Sequence, residues 1–150
     1  MWPFGRKYAS RDQLTIGQDW KVGQSKYEGK PLIARFNAGL QAIAGHPDYR
    51  YQVGIAVPLK SPNEHGLPGV EEDRQLAGIE DEITRTLEED RESILVGVIS
   101  TNGMREFVCY STDADSVRRK FDGLQQSVTS HDLQLMIRLD PHWAVYKQFL

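Results

Sequence analysis

The sequence predicts an α+β fold: a ferredoxin-like βαββαβ plait, extended by an N-terminal β-hairpin and closed by a short C-terminal helix. Three observations predict it. Beyond residue 50 the apolar period runs strand, helix, strand, strand, helix, strand, the order of a split βαβ unit. Asn102-Gly103 stands between two apolar runs, and a two-residue hairpin turn needs positive φ at both of those positions. The chain of 150 residues has a length that suits one domain and shows no interior linker.

Residues 1–17 are broken by Pro3, Gly5 and Gly17 and read as a flexible leader, so the single domain is expected over 18–150. Trp20 to Asn37 reads as a hairpin, partly alternating before Glu28-Gly29-Lys30-Pro31 and returning over Leu32 to Phe36. Residues 38–49 hold at most two helical turns, because Gly39, Gly45 and Pro47 interrupt them. Tyr51, Val53, Ile55 and Val57 alternate on one face of a strand, with Gln52, Gly54 and Ala56 on the other. The loop 61–69 is dense in chain-breaking residues, including Gly66 and Pro68. A long helix follows over about 70–90, with Leu76, Ile79, Ile83 and Leu87 in one stripe and Glu71, Glu72 and Asp73 favouring its N-terminal dipole. Residues 94–101 are apolar on both faces and are expected to be covered on both. Thr112 to Asp115 opens a second helix with Val117, Phe121, Leu124 and Val128 inside. Leu133, Leu135, Ile137 and Leu139 point one way along the last strand. Asp140-Pro141 then starts a terminal helix, with Asp140 as cap and Pro141 at its first position.

Composition narrows the class. Hydrophobic residues at 39% and charged ones at 26% are ordinary globular usage, which excludes a disordered chain. The longest apolar run, Ile94 to Ile99, is far short of the ~20 residues that span a bilayer. Residues 1–7 have no apolar stretch of a secretory signal, and one cysteine makes no internal disulfide. The expected compartment is the cytoplasm.

Several motifs, in order and at suitable spacing, resemble a bacterial family catalogued as domain of unknown function 695. They are Trp20, Gly66-Leu67-Pro68 before acidic residues, Ile79-Glu80-Asp81-Glu82, Val96-Gly97, and Thr101-Asn102-Gly103 with Arg105-Glu106-Phe107. Tyr110 and the tail from Asp140 through Trp143 and Tyr146 to Leu150 complete the set, and the tail is its most specific part. The family carries no assigned reaction. Some members are associated with a regulator module resembling an inhibitor of a bacterial endoribonuclease (ribonuclease E). That association implies a binding role.

The residues themselves hold no cofactor motif. His46, His65, His131 and His142 lack the local pairing of a zinc framework, so no metal is expected. Cys109, inside a strand, reads as an inert core filler. No glycine-rich phosphate loop appears, and the basic-aromatic strand signature of RNA-binding plaits is missing. Trp143, Tyr146 and Phe149 have helical spacing and read as core.

Charge is the uneven property. Ten carboxylates and three arginines fall within residues 70–92, a local net of −7, while the rest carries 15 basic and 11 acidic side chains. Such runs are commonly solvated, but an acidic helix can also steer a basic partner. The expectation is a non-enzymatic protein-binding or regulatory module, with Glu72, Glu80, Asp81, Glu82 and His65 as its contact set, working as a monomer or a homodimer through a sheet edge. The alternatives are a small hydrolase using Glu72 or Glu80 with His65, and an immunity protein blocking a basic toxin or nuclease.

Overall fold

A computed structural model describes residues 8–150; residues 1–7 of the expected leader lie outside the described residues. Six strands form one antiparallel sheet: β1 (Trp20–Tyr27), β2 (Lys30–Asn37), β3 (Tyr51–Pro58), β4 (Ser93–Thr101), β5 (Met104–Ser111) and β6 (Gln134–Leu139). Their spatial order is β1-β2-β4-β5-β3-β6. The fold class is therefore α+β, but the sheet is wider than the four strands expected of a plait. The β1–β2 hairpin extends it, pairing with β4 along Leu32 to Phe36.

Two turns set the registers. Glu28 (φ 52°) and Gly29 (φ 78°) close the first hairpin, and Asn102 (φ 48°) and Gly103 (φ 79°) the second, as a two-residue turn between right-twisted strands requires. The second turn also anchors the loop after β3. Gly103 N–H donates to the Gly66 carbonyl at 2.8 Å, and Leu59 N–H to the Gly103 carbonyl at 2.8 Å. Gly66 itself has φ 77°, and a Cβ there would stand 3.0 Å from Asn102 Cα. Gly66→Ala is expected to cost about 1–3 kcal/mol, the range for a strained backbone site, as measured by urea unfolding.

Two helices, α1 (Val70–Leu87) and α2 (Ala114–Ser127), cover one face of the sheet. The stripe Leu76, Ile79, Ile83, Leu87 packs on Val53, Ile55, Val57, Leu95, Val98 and Phe107, and Val117, Phe121 and Leu124 of α2 join them. Asp113 caps α2, its side chain accepting from Ser116 N–H at 3.1 Å. Cys109 is buried in this core, which pushes its thiol well above the ordinary range.

The other face carries a second core of Leu14, Leu40, Ile43, Tyr49, Ile94, Val96, Val108, Tyr110, Trp143 and Tyr146. β4 is thus covered on both sides, as its continuous apolar run requires. Residues 8–17, expected in the leader, contribute Leu14, which is buried, and Arg91 Nη1 donates to the Leu14 carbonyl at 2.5 Å. The expected short helix at 38–49 is a 3-10 segment, Ala38–Ile43, capped by the Asn37 side chain.

The tail departs from its expected form. The helix α3 spans only Ala144–Lys147, and Trp143 precedes it in the left-handed region at φ 58°. Pro141 therefore lies in a turn and not at a helix start. Asp140 still caps, but four residues on: its carboxylate accepts from Ala144 N–H at 2.8 Å and Val145 N–H at 3.0 Å. Leu139, which shares a face of β6 with Leu135 and Ile137, is 60% exposed at the end of that edge strand. Among the described residues no helix is long and apolar enough to cross a membrane.

Candidate functional site

The acidic helix is where function was expected, and among the described residues five of its six carboxylates, all but Asp81, already hold a hydrogen bond or an ion pair. Glu72 continues the buried stripe of α1 and is itself buried. Its Oε2 accepts from Lys60 N–H at 2.5 Å and contacts His131 Nε2 at 2.7 Å, and its Oε1 accepts from Ser61 N–H at 3.0 Å. Burial pushes the Glu72 carboxyl up, but the Lys60 N–H, His131 and Ser61 N–H outweigh it and hold it below the usual range. The other ring nitrogen of His131 meets Ser130 Oγ at 3.0 Å. The histidine joined to Glu72 is thus the buried His131 and not the expected His65. Both side chains are saturated by partners, so they tie α1 to the loop after β3 and to the entry of β6.

Glu80 accepts from the Arg35 guanidinium on β2, which lies 5.0 Å from the centroid of the Trp20 ring. Trp20 Nε1 in turn donates to Gln18 Oε1 at 2.9 Å. Asp73 pairs with Arg105 at 3.0 Å, Glu82 with Arg85 at 2.5 Å and Glu71 with Arg74 at 2.9 Å. Glu92 is bound by Lys120 at 2.5 Å, which holds its carboxyl down. His65 is exposed and lies 3.5 Å from Glu64, in the loop and not beside Glu72. Of the expected contact set only Asp81 and the partly paired Glu82 remain on the outer flank of α1. The docking field of residues 70–92 is correspondingly smaller than the bare count of charges implies, since compensated surface pairs exert little net field.

The expected structural motif residues do meet. Tyr110 stacks on Trp143 with ring centroids 4.2 Å apart and planes 9° apart. The Tyr110 hydroxyl donates to Asp140 Oδ2 at 2.6 Å and accepts from Tyr146 N–H at 3.1 Å. Trp143 Nε1 donates to the Tyr49 carbonyl at 2.9 Å, and the Tyr146 hydroxyl to the Asn37 carbonyl at 2.6 Å. Gly97 belongs to the same device: a Cβ there would lie 2.7 Å from Phe149 Cζ, so the glycine lets the Phe149 ring lie on β4. Pro68 stays in the loop that leads into α1.

Beside that tail, on the face of the sheet away from α1 and α2, a groove of about 310 Å³ is left open. Gly23, Ser25 and Ala34 form its floor on β1 and β2, and Leu32, Phe36, Ile99, Val145, Gln148 and Phe149 its walls. Phe36 and Phe149 stack with centroids 5.6 Å apart. The small residues make the hollow: a Cβ on Gly23 would meet nothing within 4 Å. From Ile99 the same face continues to Glu106, its cross-strand partner on β5, and then to Ala56 on β3 and Gln134 on β6. Among the described residues no helix lies over that part, and Met136 there is 42% exposed. The alternation of β5, with Phe107 and Cys109 inward, was the sequence signal that Glu106 faces this side.

Fold and surface together define a compact α+β domain with one face of its sheet sealed by helices and the other partly open. The chain belongs to the family of unknown function DUF695, whose model matches residues 18–150. Neither the curated proteins nor the solved structures give a match.

Proposed function

We propose that this domain is a non-enzymatic recognition module that binds a partner polypeptide in the groove beside Phe149. The observation that carries this is the groove itself: about 310 Å³, walled by Phe36, Phe149, Ile99 and Val145, and open to solvent. Apolar surface of that kind, held on a rigid sheet, is the usual seat of a partner's anchoring side chain. The closest approach to a catalytic pair, Glu72 with His131, has its donors and acceptors engaged within the fold and supports a structural role. The acidic flank of α1 lies on the opposite face, and its Asp81 and Glu82 tune encounter with a basic partner without forming the seat. We read the β3–β6 part of the sheet, with its order β4-β5-β3-β6 and both long helices on one face, as ferredoxin-like. A protein of this composition, with a single buried thiol, suits the cytoplasm.

Gly23→Leu fills the groove from a position where nothing lies within 4 Å of the added Cβ, so the fold is expected to persist. A random peptide display library panned on the wild type should yield ligands whose affinity falls by about tenfold or more on the variant, the loss of one buried apolar anchor. Recovery of no ligand, or of ligands indifferent to Gly23→Leu, overturns the proposal.

A further inference from the structure

Glu106, on the open face, is explained by neither packing nor pairing among the described residues. Its carboxylate lies on the backbone of β3, where a Cβ on Gly54 would stand 2.7 Å from Glu106 Oε2 and 3.4 Å from Met136 Cε. Gly54 therefore makes the room it occupies. Its side chain is half-buried and makes neither a hydrogen bond nor an ion pair among the described residues. Burial pushes the carboxyl above its ordinary range, and the charge of Arg138 only partly offsets this. Arg138 is engaged elsewhere, its Nε donating to Gln52 Oε1 at 2.9 Å. A half-desolvated carboxylate without a donor is an unfavourable arrangement in a finished fold, and a cation arriving from solvent relieves it.

We propose that Glu106 receives a lysine or arginine side chain of a partner polypeptide laid across the open sheet face, while the neighbouring groove takes an apolar side chain of the same segment. The proposal rests on the groove reading above and adds the chemistry of the partner. Charge selects the occupant: the carboxylate stands among Gly54, Met136, Ala56 and Ile99, and among the described residues Arg138 is the one charge that acts on it and offsets it only in part. Geometry sets the spacing. From Ala34 in the groove through Ile99 to Glu106 is two strand separations, about 10 Å; a segment in the polyproline II conformation, with about 3.1 Å per residue and three residues per turn, covers that in about three residues and keeps both side chains on one side. The partner segment therefore carries an apolar and a basic residue about three positions apart.

The test uses two end-blocked synthetic peptides, Gly-Phe-Gly-Gly-Lys-Gly and the same peptide with norleucine for lysine, titrated into the full chain and followed by NMR. The wild type is expected to bind the lysine peptide about tenfold more tightly, the scale of one charge-assisted hydrogen bond. Glu106→Gln keeps the shape, and it is expected to erase that preference while leaving the affinity for the norleucine peptide unchanged. Gly23→Leu is expected to weaken both peptides alike. Equal affinity of the wild type for the two peptides, with both lost on Gly23→Leu, overturns the role of Glu106 and leaves the groove standing. Binding of neither peptide overturns both. Self-association of the wild type in sedimentation that Gly23→Leu abolishes makes a second copy the occupant, and it too overturns the proposal.

Discussion

Trp143→Ala is expected to destabilise the protein by about 3–5 kcal/mol, the range for removing a large buried aromatic side chain. The side chain is fully buried. Truncation opens a cavity against Tyr110, on which the indole stacks at 4.2 Å, and leaves the Tyr49 carbonyl without its donor. A further cost is conformational. Trp143 holds φ at 58°, a region that costs a non-glycine residue about 1–3 kcal/mol and persists only where its surroundings impose it. With the indole gone nothing imposes it, and the turn that aims Asp140 at Ala144 and Val145 is expected to relax. Tyr146 and Phe149 then lose their seats, so the loss should spread through the second core. Urea unfolding measures the free energy. A cost below about 1 kcal/mol, the level of an exposed substitution, contradicts the account.

Glu72→Leu is expected to cost about 3–5 kcal/mol, since each buried group left without its partner costs about 1–3 kcal/mol. The leucine fits the apolar stripe, but it leaves His131, the Lys60 N–H and the Ser61 N–H without their acceptor. The double variant Glu72→Leu/His131→Leu is expected to cost less than the two single losses together, with a coupling of about 1–3 kcal/mol in a double-mutant cycle. Additive costs would show that the two side chains act separately.

The same carboxylate shapes the response to acid. Glu72, Asp140 and Glu92 are held below the ordinary carboxyl range: Glu72 and Asp140 by hydrogen bonds that outweigh burial, Glu92 chiefly by Lys120. A carboxyl depressed by folding contributes stability that is fully present above its unfolded value and is lost as pH falls through its folded value. Glu88 and Glu106 are raised by burial and act in the opposite sense. The depressed groups each hold two or three hydrogen bonds that protonation weakens, whereas Glu88 holds one and Glu106 none among the described residues, so stability is expected to fall as pH drops below about 4. In Glu72→Gln that slope is expected to be shallower. Chemical unfolding repeated across acid pH reads the slope directly.

Much of this architecture was legible in the residues. The stripe Leu76, Ile79, Ile83, Leu87, the Asn102-Gly103 turn and the two-sided cover of β4 all follow from period and turn chemistry. Glu72 was legible too, for it lies four residues before Leu76 on the same stripe, but it was grouped with its acidic neighbours. A charge count has no direction, whereas a helix position does. The terminal helix was overextended because helical spacing at Trp143, Tyr146 and Phe149 is also met by one short turn entered from a left-handed residue. The candidate site was legible only in pieces: Gly54 and Ala56 on the outer face of β3, and Glu106 between inward neighbours on β5.

Local periodicity alone thus determined the elements and the buried face of each, because near-neighbour sterics and burial set those within a few residues. Tertiary structure decided which charges are spent inside and which hollow is left open. Glu72 meets His131 across 59 residues, and Arg35 meets Glu80 across 45. Gly97 makes room for Phe149 only once the tail folds back across the sheet. Such pairings depend on distances that exist only after the chain has closed on itself.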